Sequence, residues 1–357
     1  MATGQSIQLQ SPVANHFESF IFGNALHALA IAREQIDPIM PDQCAAIDAL
    51  GLSPQDQIVR FMPLVLDHCP DTPVVHEGSA EGQHLVICGA GPSLADHAEE
   101  YCRTADQLWG CNSALTWLVA HGYPVTHGFA VDQTPDMLTE WHSAPDVEYL
   151  VASTCHVHLI DYLRGTGRRV RFFHNYVGIR KPHVEWPDAH GVLKRSEYED
   201  WLYALLYPGT VRAGSGLNAV TRAIDVALCM GFATITVLGA DCSLKVTSPR
   251  PDGACVGSPE HLAWLRESVI MHADGGHALA SGATMVTLEG EIDGRLWTSK
   301  PDMMISAVFL AQMEKKLKGK LRLIGDTLPN AIKGKPASFL NRLPSLVGAN
   351  GKRIQLV

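Results

Sequence analysis

The residues with the clearest chemical potential form a glycine turn, GAGPSL at residues 89–94, directly after an apolar run. Gly89 allows the chain to turn sharply, and Gly91 allows a ligand to approach closely because glycine has no Cβ atom. Pro92 suits the first position of a helix. The free N–H groups of that helical turn attract anions, and Ser93 adds a hydroxyl. The motif predicts a phosphate or nucleotide site, with a tight turn that binds nothing as the alternative.

The glycine turn differs from the motifs of the common nucleotide-binding folds. Leu94 stands where the dinucleotide fingerprint requires a third glycine, and no acidic residue follows at the expected distance of about 20 residues. The next apolar run ends instead in Cys111 and Asn112, and the amide of Asn112 could contact a nucleotide base or ribose. The sequence also lacks the Walker lysine motif, which excludes P-loop chemistry.

Two aspartates follow later apolar runs, Asp132 in FAVDQ and Asp241 in LGADC. In an open α/β sheet the carboxyl ends of parallel strands meet at one edge, and ligands bind there. Asp132 and Asp241 could therefore hold Mg²⁺ against a polyphosphate, since Mg²⁺ prefers oxygen ligands, and both are candidate catalytic residues. The alternative is that each aspartate caps the loop or helix that follows it.

A second glycine turn and one histidine complete the candidate site. Gly214 and Ser215 open a helical stretch, so their N–H groups could bind a second phosphate or a sugar carboxylate. Asn218 could either contact a ligand or cap that helix. None of the 17 histidines has the spacing of a common zinc motif. His272, with His174 as a second choice, is the candidate general base, because imidazole exchanges protons near neutral pH.

The elements that must position these residues begin at residue 84, where short apolar runs alternate with helical segments. This pattern predicts an α/β fold, Rossmann-like, with a mostly parallel sheet and helices on both faces. The predicted strands are residues 84–89, 107–112, 127–132, 147–153, 168–175 and 233–241; a hairpin is predicted at 290–297 and a last helix at 300–318.

The chain divides into three predicted parts. Residues 1–80 form a small helical N-terminal segment, and residues 81–333 form a nucleotide-binding transferase domain. Within that domain the irregular, aromatic stretch at 178–212 is interpreted as an insertion or lid. Residues 334–357 form a C-terminal tail without a clear fold.

Composition limits the classes of function. The chain has 357 residues, of which 46% are hydrophobic and 18% charged, so it is neither disordered nor a coiled coil. A net charge of −9 argues against a bulk nucleic-acid partner and suits a small nucleotide and acceptor. Nine scattered cysteines without a CxxC motif indicate reduced thiols. With no apolar run of membrane length and no export signal, we expect a cytoplasmic protein without a membrane partner; a homo-oligomer stays open.

Six segments in this order resemble the 6-hydroxymethylpterin diphosphokinase-like family: ICGAGPSL, a strand ending in CN, FAVDQTP, VLGADCSL, EIDGRLWTSKPDM and LIGDTLPNAI. The resemblance covers roughly residues 84–333. The family's domain is shared by archaeal pterin diphosphokinases and by motility-associated glycosyltransferases that attach nonulosonic acids to flagellin. The glycine turn and the CN strand end are also similar to the cytidine-nucleotide site of certain bacterial sialyltransferases. The resemblance implies a nucleotide site in which Asn112 contacts the nucleoside and the phosphate is held by Gly89, Gly91, Pro92 and Ser93. It also implies that Asp132 and Asp241 are the acidic strand ends of this site. The opposing wall of the site would be lined by Gly214, Ser215 and Asn218.

Three functions follow as hypotheses. The leading one is transfer of diphosphate from ATP to a small hydroxymethyl acceptor, with Mg²⁺ on Asp132 and Asp241 bridging the phosphates. The second is glycosyl transfer from a cytidine-linked acidic sugar, with the sugar carboxylate on the turn at 214–216 and a histidine deprotonating the acceptor. The third is a nucleotide-binding module without catalysis. A metal requirement separates the first from the second.

Overall fold

The computed structural model describes most of the chain after residue 71. The N-terminal helical segment predicted for residues 1–80 and the predicted lid at 178–212 lie almost entirely outside the described residues. These are residues 72–132, 144–153, 155–175, 211–213, 218–254, 258–274, 288–335, 345–347 and 353–355, together with residues 45 and 49.

The runs at 84–88, 107–111, 127–130 and 234–238 are almost entirely buried, as expected for strands covered on both faces. In the described part of the chain, all six predicted strands are present at nearly the predicted bounds, together with the predicted hairpin and six further strands. They are β1 His84–Cys88, β2 Gln107–Cys111, β3 His127–Ala130, β4 Glu148–Ala152, β5 Arg169–Asn175, β6 Arg212–Ala213, β7 Thr234–Leu238, β8 Lys245–Val246, β9 Val269–Ile270, β10 Leu288–Ile292, β11 Arg295–Ser299, β12 Leu321–Leu323, β13 Ser345–Val347 and β14 Arg353–Gln355.

Eight of these strands form one sheet in the order β12-β7-β1-β2-β3-β4-β5-β6, and all its pairings are parallel. The predicted α/β class with a parallel sheet is therefore confirmed. The chain adds strands β1 to β6 in one direction and then returns to the other side of β1 with β7 and β12. The topological switch point lies between β1 and β7, and ligands of doubly wound sheets bind beyond the carboxyl ends of strands at such a point.

Helices cover both faces of this sheet. Val86 of β1 belongs to an apolar cluster with the helices at 94–101 and 113–120, whereas Ile87 belongs to a cluster with the helices at 219–230 and 301–316. None of the described helices is long and apolar enough to cross a bilayer. The helices are α1 Leu94–Tyr101, α2 Ser113–Ala120, α3 Val157–Gly165, α4 Ala219–Met230, α5 Pro259–Ser268, α6 Pro301–Lys316 and α7 Leu328–Ile332.

A second, antiparallel sheet has the order β11-β10-β13-β14. The hairpin predicted at 290–297 is present as β10 and β11, and both turn residues, Asp293 and Gly294, have the positive φ of a type I′ turn. The tail was predicted to lack a clear fold, yet it contributes β13 and β14. Short strands of this kind are stabilised by pairing with a distant strand, here β10, which local sequence does not reveal.

The described residues between β7 and His272, at 242–254 and 258–271, are named the arm. Within the arm β8 pairs with β9, and α5 lies between them along the chain. Leu244, Trp264, Leu265 and Val269 form a small apolar cluster separate from the main core. The arm therefore has a core of its own, and it connects two of the candidate site residues, Asp241 and His272.

Candidate functional site

The glycine turn packs tightly against the loop that follows β7. A Cβ atom on either Gly89 or Gly91 would lie 2.6 Å from the carbonyl oxygen of Gly239. Both N–H groups are used within the fold, because Gly89 donates to the carbonyl of Leu238 and Gly91 to that of Gly239, each at 2.9 Å. The fold itself requires glycine at these two positions, so the glycines alone do not indicate a ligand.

The carboxylate of Asp241 lies at the start of helix α1. Its Oδ2 atom accepts hydrogen bonds from Ser93 Oγ at 2.8 Å and from Ser93 N at 3.3 Å. The residue is only 7% exposed. Burial raises the pKa of Asp241 to about 6, although the Ser93 hydrogen bonds act in the opposite direction. Pro92 precedes the N-cap residue Ser93, so it lies outside α1 and not at the predicted first helical position.

The loop that carries Asp241 has an unusual backbone held from several sides. Gly239 has a φ of 61° and Cys242 a φ of 52°, a value that non-glycine residues rarely adopt. The carbonyl of Asp241 accepts from Leu328 N at 3.1 Å, and the carbonyl of Cys242 accepts from Ser299 Oγ at 2.6 Å. The position of the carboxylate is thus determined by contacts with α1, α7 and β11. Backbone strain of the kind seen at Cys242 is found mainly at functional sites in proteins.

Asn112 occupies a sharp turn between β2 and α2. Its φ of 48° and ψ of −129° lie outside the regions that side chains favour. The close packing of this turn requires a glycine nearby, since a Cβ atom on Gly110 would lie 2.6 Å from Leu115 Cα. The Asn112 side chain does not cap α2. A strained strand-to-helix turn presents its side chain above the sheet edge, so the geometry suits the predicted contact with a nucleoside.

Asp132 and Asp241 follow strands that are not neighbours in the sheet. Strands β1 and β2 separate β3 from β7, which places the ends of β3 and β7 about 14 Å apart. One Mg²⁺ bound directly by both carboxylates would need their oxygens within about 4 Å of each other. Asp132 instead lies near Cys155, whose pKa is raised by burial and secondarily by this carboxylate. The spacing of the two strands therefore argues against one Mg²⁺ bound directly by both aspartates.

No other cluster of side chains in the described part of the chain offers a metal site. Among those residues, no group of three or more His, Cys, Asp or Glu side chains could hold a metal ion.

His272 lies beside the glycine turn. The next residue, Ala273, donates its N–H to the carbonyl of Ala90 at 2.9 Å, which fixes this segment against the turn. The Nδ1 atom of His272 is buried and has no hydrogen-bond partner within the residues that the structure describes. The second choice, His174, is fully buried, and its Nδ1 shares a hydrogen bond of 3.0 Å with Ser153 Oγ. Of the two histidines, only His272 is located at the glycine turn.

The predicted second glycine turn is only partly described. Gly214 and Ser215 lie outside the described residues. Asn218 is the N-cap of α4: its Oδ1 accepts from Thr221 N at 2.9 Å, and its own N–H donates to Thr221 Oγ1 at 3.3 Å. This reciprocal pair is a capping box. The structure thus assigns the Asn218 side-chain oxygen to the helix, which was one of the two predicted alternatives.

Sequence reasoning missed the loop between β12 and α7, which also lies against the glycine turn. A Cβ atom on Gly325 would lie 3.2 Å from Ser93 Oγ. Asn330 holds this loop through hydrogen bonds from its Nδ2 to the carbonyls of Gly325 at 2.8 Å and Leu323 at 3.1 Å. The segment LIGDTLPNAI contains the signal, but β12 has only three residues, and its place beside β7 follows from pairing between distant strands.

Comparisons with known proteins give a distant likeness in shape. No protein-family model matches the chain, and no curated protein does. The structure is similar to that of the MAf glycosyltransferase from Magnetospirillum magneticum AMB-1, with a TM-score of 0.44 and 13% sequence identity. The match covers 73% of this chain and 37% of that one, so this chain spans little more than a third of that protein's length.

Proposed function

We propose that this chain is a nucleotide-dependent glycosyltransferase that works without a divalent metal. The observation that supports this choice is the position of Asp241: its carboxylate accepts hydrogen bonds from Ser93 at the start of α1, and two strands separate β7 from the strand that precedes Asp132. Transfer of diphosphate from ATP depends on metal ions that bridge the phosphates and neutralise their charge. The strands that carry Asp132 and Asp241 are not neighbours in the sheet, so the site supports diphosphate transfer less well.

A donor with a single phosphate carries less negative charge for the protein to neutralise. Preorganised hydrogen-bond donors can stabilise one leaving phosphate without a metal. The donor we propose is a cytidine-linked acidic sugar, as in the second of the three hypotheses. The resemblance of the glycine turn and Asn112 to sialyltransferase sites supports this choice. Asn112 would contact the nucleoside from its strained turn, and the glycine turn would border the phosphate.

His272 is the proposed general base. In the transfer step, the bond between the anomeric carbon and the phosphate oxygen breaks while a bond forms from an acceptor hydroxyl oxygen to that carbon. The hydroxyl proton passes to the imidazole of His272, and the nucleotide leaves as the monophosphate anion. The Ala273–Ala90 hydrogen bond places His272 at the glycine turn, and a base must lie within hydrogen-bond reach of the proton it accepts.

Titration calorimetry with cytidine monophosphate and with ATP, each with Mg²⁺ or with a chelator, tests the proposal. We expect the cytidine nucleotide to bind equally well in both conditions. Asn112→Ala should weaken that binding about tenfold, since it removes hydrogen bonds to the ligand. Binding of ATP that requires Mg²⁺ would instead support diphosphate transfer, and binding of no nucleotide would overturn the proposal.

Release of cytidine monophosphate from the sugar donor tests catalysis. His272→Ala should bind the nucleotide as the wild type does, yet lose on the order of 100-fold in turnover, the usual contribution of a general base. His121→Ala is the matched control, because His121 is exposed at the far end of α2. A wild-type protein that binds the nucleotide but never turns over a donor would indicate the non-catalytic module.

A further inference from the structure

The N-terminus of helix α1 already holds a negatively charged group of the protein itself. The first N–H groups of a helix lack intrahelical partners, and the helix dipole favours an anion beside them. Ser93, the N-cap of α1, makes no capping hydrogen bond with its own side chain. Its N–H and hydroxyl donate instead to Asp241, which comes from the loop after β7. The cap of α1 is therefore supplied by a distant part of the chain.

The space around this carboxylate is closed on several sides. Gly91 lies so close to Asp241 Oδ2 that a side chain there would collide with it. Gly325 also lies against Ser93, because a Cβ atom there would be 3.2 Å from Ser93 Oγ. Asp96, in the first turn of α1, is a second acidic group, and its charge adds to the rise in the Asp241 pKa. A phosphate placed at this helix start would have to displace one carboxylate and would be repelled by another.

We infer that Asp241 is a positioning residue that caps helix α1 and holds the glycine turn, and that the donor phosphate lies beside the glycine turn without occupying the start of α1. This inference rests on the proposed function for the identity of the donor, but the role of Asp241 as a cap does not depend on it. It replaces the predicted roles of Asp241 as metal ligand and catalytic residue, and the predicted seat of the phosphate on the first turn of α1.

The three roles make different demands on the side chain at position 241. A metal ligand or a general base needs the carboxylate, so Asp241→Asn and Asp241→Ala should both abolish activity. A cap needs only an acceptor oxygen for Ser93, which the asparagine amide also supplies. We therefore expect D241N to keep its affinity for cytidine monophosphate within about threefold and D241A to lose about tenfold or more.

The first experiment needs no nucleotide. In D241A the donors of Ser93 are left without their acceptor, and a small carboxylate can enter the vacated space. Formate should raise the melting temperature of D241A, with no such rise in the wild type or in D241N, where the space is filled. Absence of a specific effect of formate on D241A would overturn the inference. If D241A does not fold, a double-mutant cycle between Ser93→Ala and D241N replaces the formate experiment. If Asp241 caps α1 through Ser93, the two substitutions should have non-additive effects on the free energy of unfolding. Additive effects would overturn the inference.

The second experiment compares donor turnover in D241N and D241A with turnover in the wild type. Turnover by D241N within about threefold of the wild type, with D241A far lower, supports the cap, because a neutral amide is a poor base and a poor ligand for Mg²⁺. Equal loss in both variants, with unchanged melting temperatures, would show that the charge itself is needed and would overturn the inference. A wild-type protein that binds no cytidine nucleotide would defeat the proposed function, while the formate experiment would still decide the role of Asp241.

Discussion

Two opposing effects act on the charged form of the Asp241 carboxyl. Two hydrogen bonds from Ser93 favour the charged form, while removal from water disfavours it, and burial is the larger effect because the pKa rises from 3.8 to about 6. Since the folded protein holds this proton more tightly than the unfolded chain, the group contributes most stability below its unfolded pKa. That contribution is lost as the pH rises through about 6.

We expect D241N to remove this pH dependence. Above the folded pKa the wild type must bury a charge, whereas the amide stays neutral, so at neutral pH D241N should be more stable by on the order of 2 kcal/mol. Near pH 4 the two proteins should be nearly equal, because the wild-type carboxyl is then protonated in the folded state. Urea unfolding at the two pH values measures the difference. Asp146→Asn, at an exposed loop position, is the control and should change neither value.

A lower stability of D241N at neutral pH would contradict this account of Asp241. It would show that the Ser93 hydrogen bonds to the charged form outweigh the cost of burial.

At the scale of elements, the junctions between strands and helices carry the candidate site. The strand-to-helix turn after β1 packs against the loop after β7 through Gly89 and Gly91, and the turn after β2 packs onto α2 through Gly110. In both cases glycine is needed because backbone approaches backbone, which is a property of the fold. The polar residues at these junctions, Ser93 and Asn112, are placed by that packing.

Gly110→Ala should disturb the turn that carries Asn112. The added methyl group would meet the backbone of Leu115, which cannot move without shifting α2, so we expect a loss of about 2 kcal/mol in unfolding free energy. Binding of cytidine monophosphate should fall as well. Gly165→Ala is the matched control, since nothing lies within 4 Å of its added methyl group, and that variant should be at least as stable as the wild type because alanine favours a helix over glycine. Equal stability of both variants would show that α2 moves freely and that the turn is not fixed.

The elements themselves were largely predictable, because continuous apolar runs such as LVIC of β1 and TITVL of β7 indicate buried parallel strands wherever they occur. Their alternation with helical segments was enough for the α/β class. The three residues of β12 and the pairing of β13 with β10 depend on distant partners. Distance along the chain also explains what the sequence could not predict about the site. The ends of the parallel strands were correctly predicted to share one edge of the sheet. The hydrogen bond between Ser93 and Asp241 could not be predicted, because it joins residues 148 positions apart.

At the scale of the whole molecule, the described chain has two kinds of core. The main sheet is buried between helices, with Trp109 fully enclosed, whereas the arm has its own small cluster around Trp264. Trp264 also donates its Nε1–H to the carbonyl of Ser248 at 2.9 Å. Regions with small separate cores open with less free energy than the molecule as a whole. Because His272 directly follows the arm, the arm and the Ala273–Ala90 hydrogen bond hold that histidine together.

Trp264→Ala should therefore separate activity from global stability. The substitution empties much of the small cluster, a change that costs about 3–5 kcal/mol where a tryptophan is buried, but the cost falls on the arm and not on the parallel sheet. We expect faster amide hydrogen exchange confined to the arm and the segment of His272, lower donor turnover, and a urea midpoint close to that of the wild type. Trp109→Ala is the comparison in the main core, and it should lower the midpoint strongly. Equal shifts in midpoint for the two variants would mean that the arm and the sheet unfold as one cooperative unit, in which case the arm could not loosen His272 without unfolding the site around it.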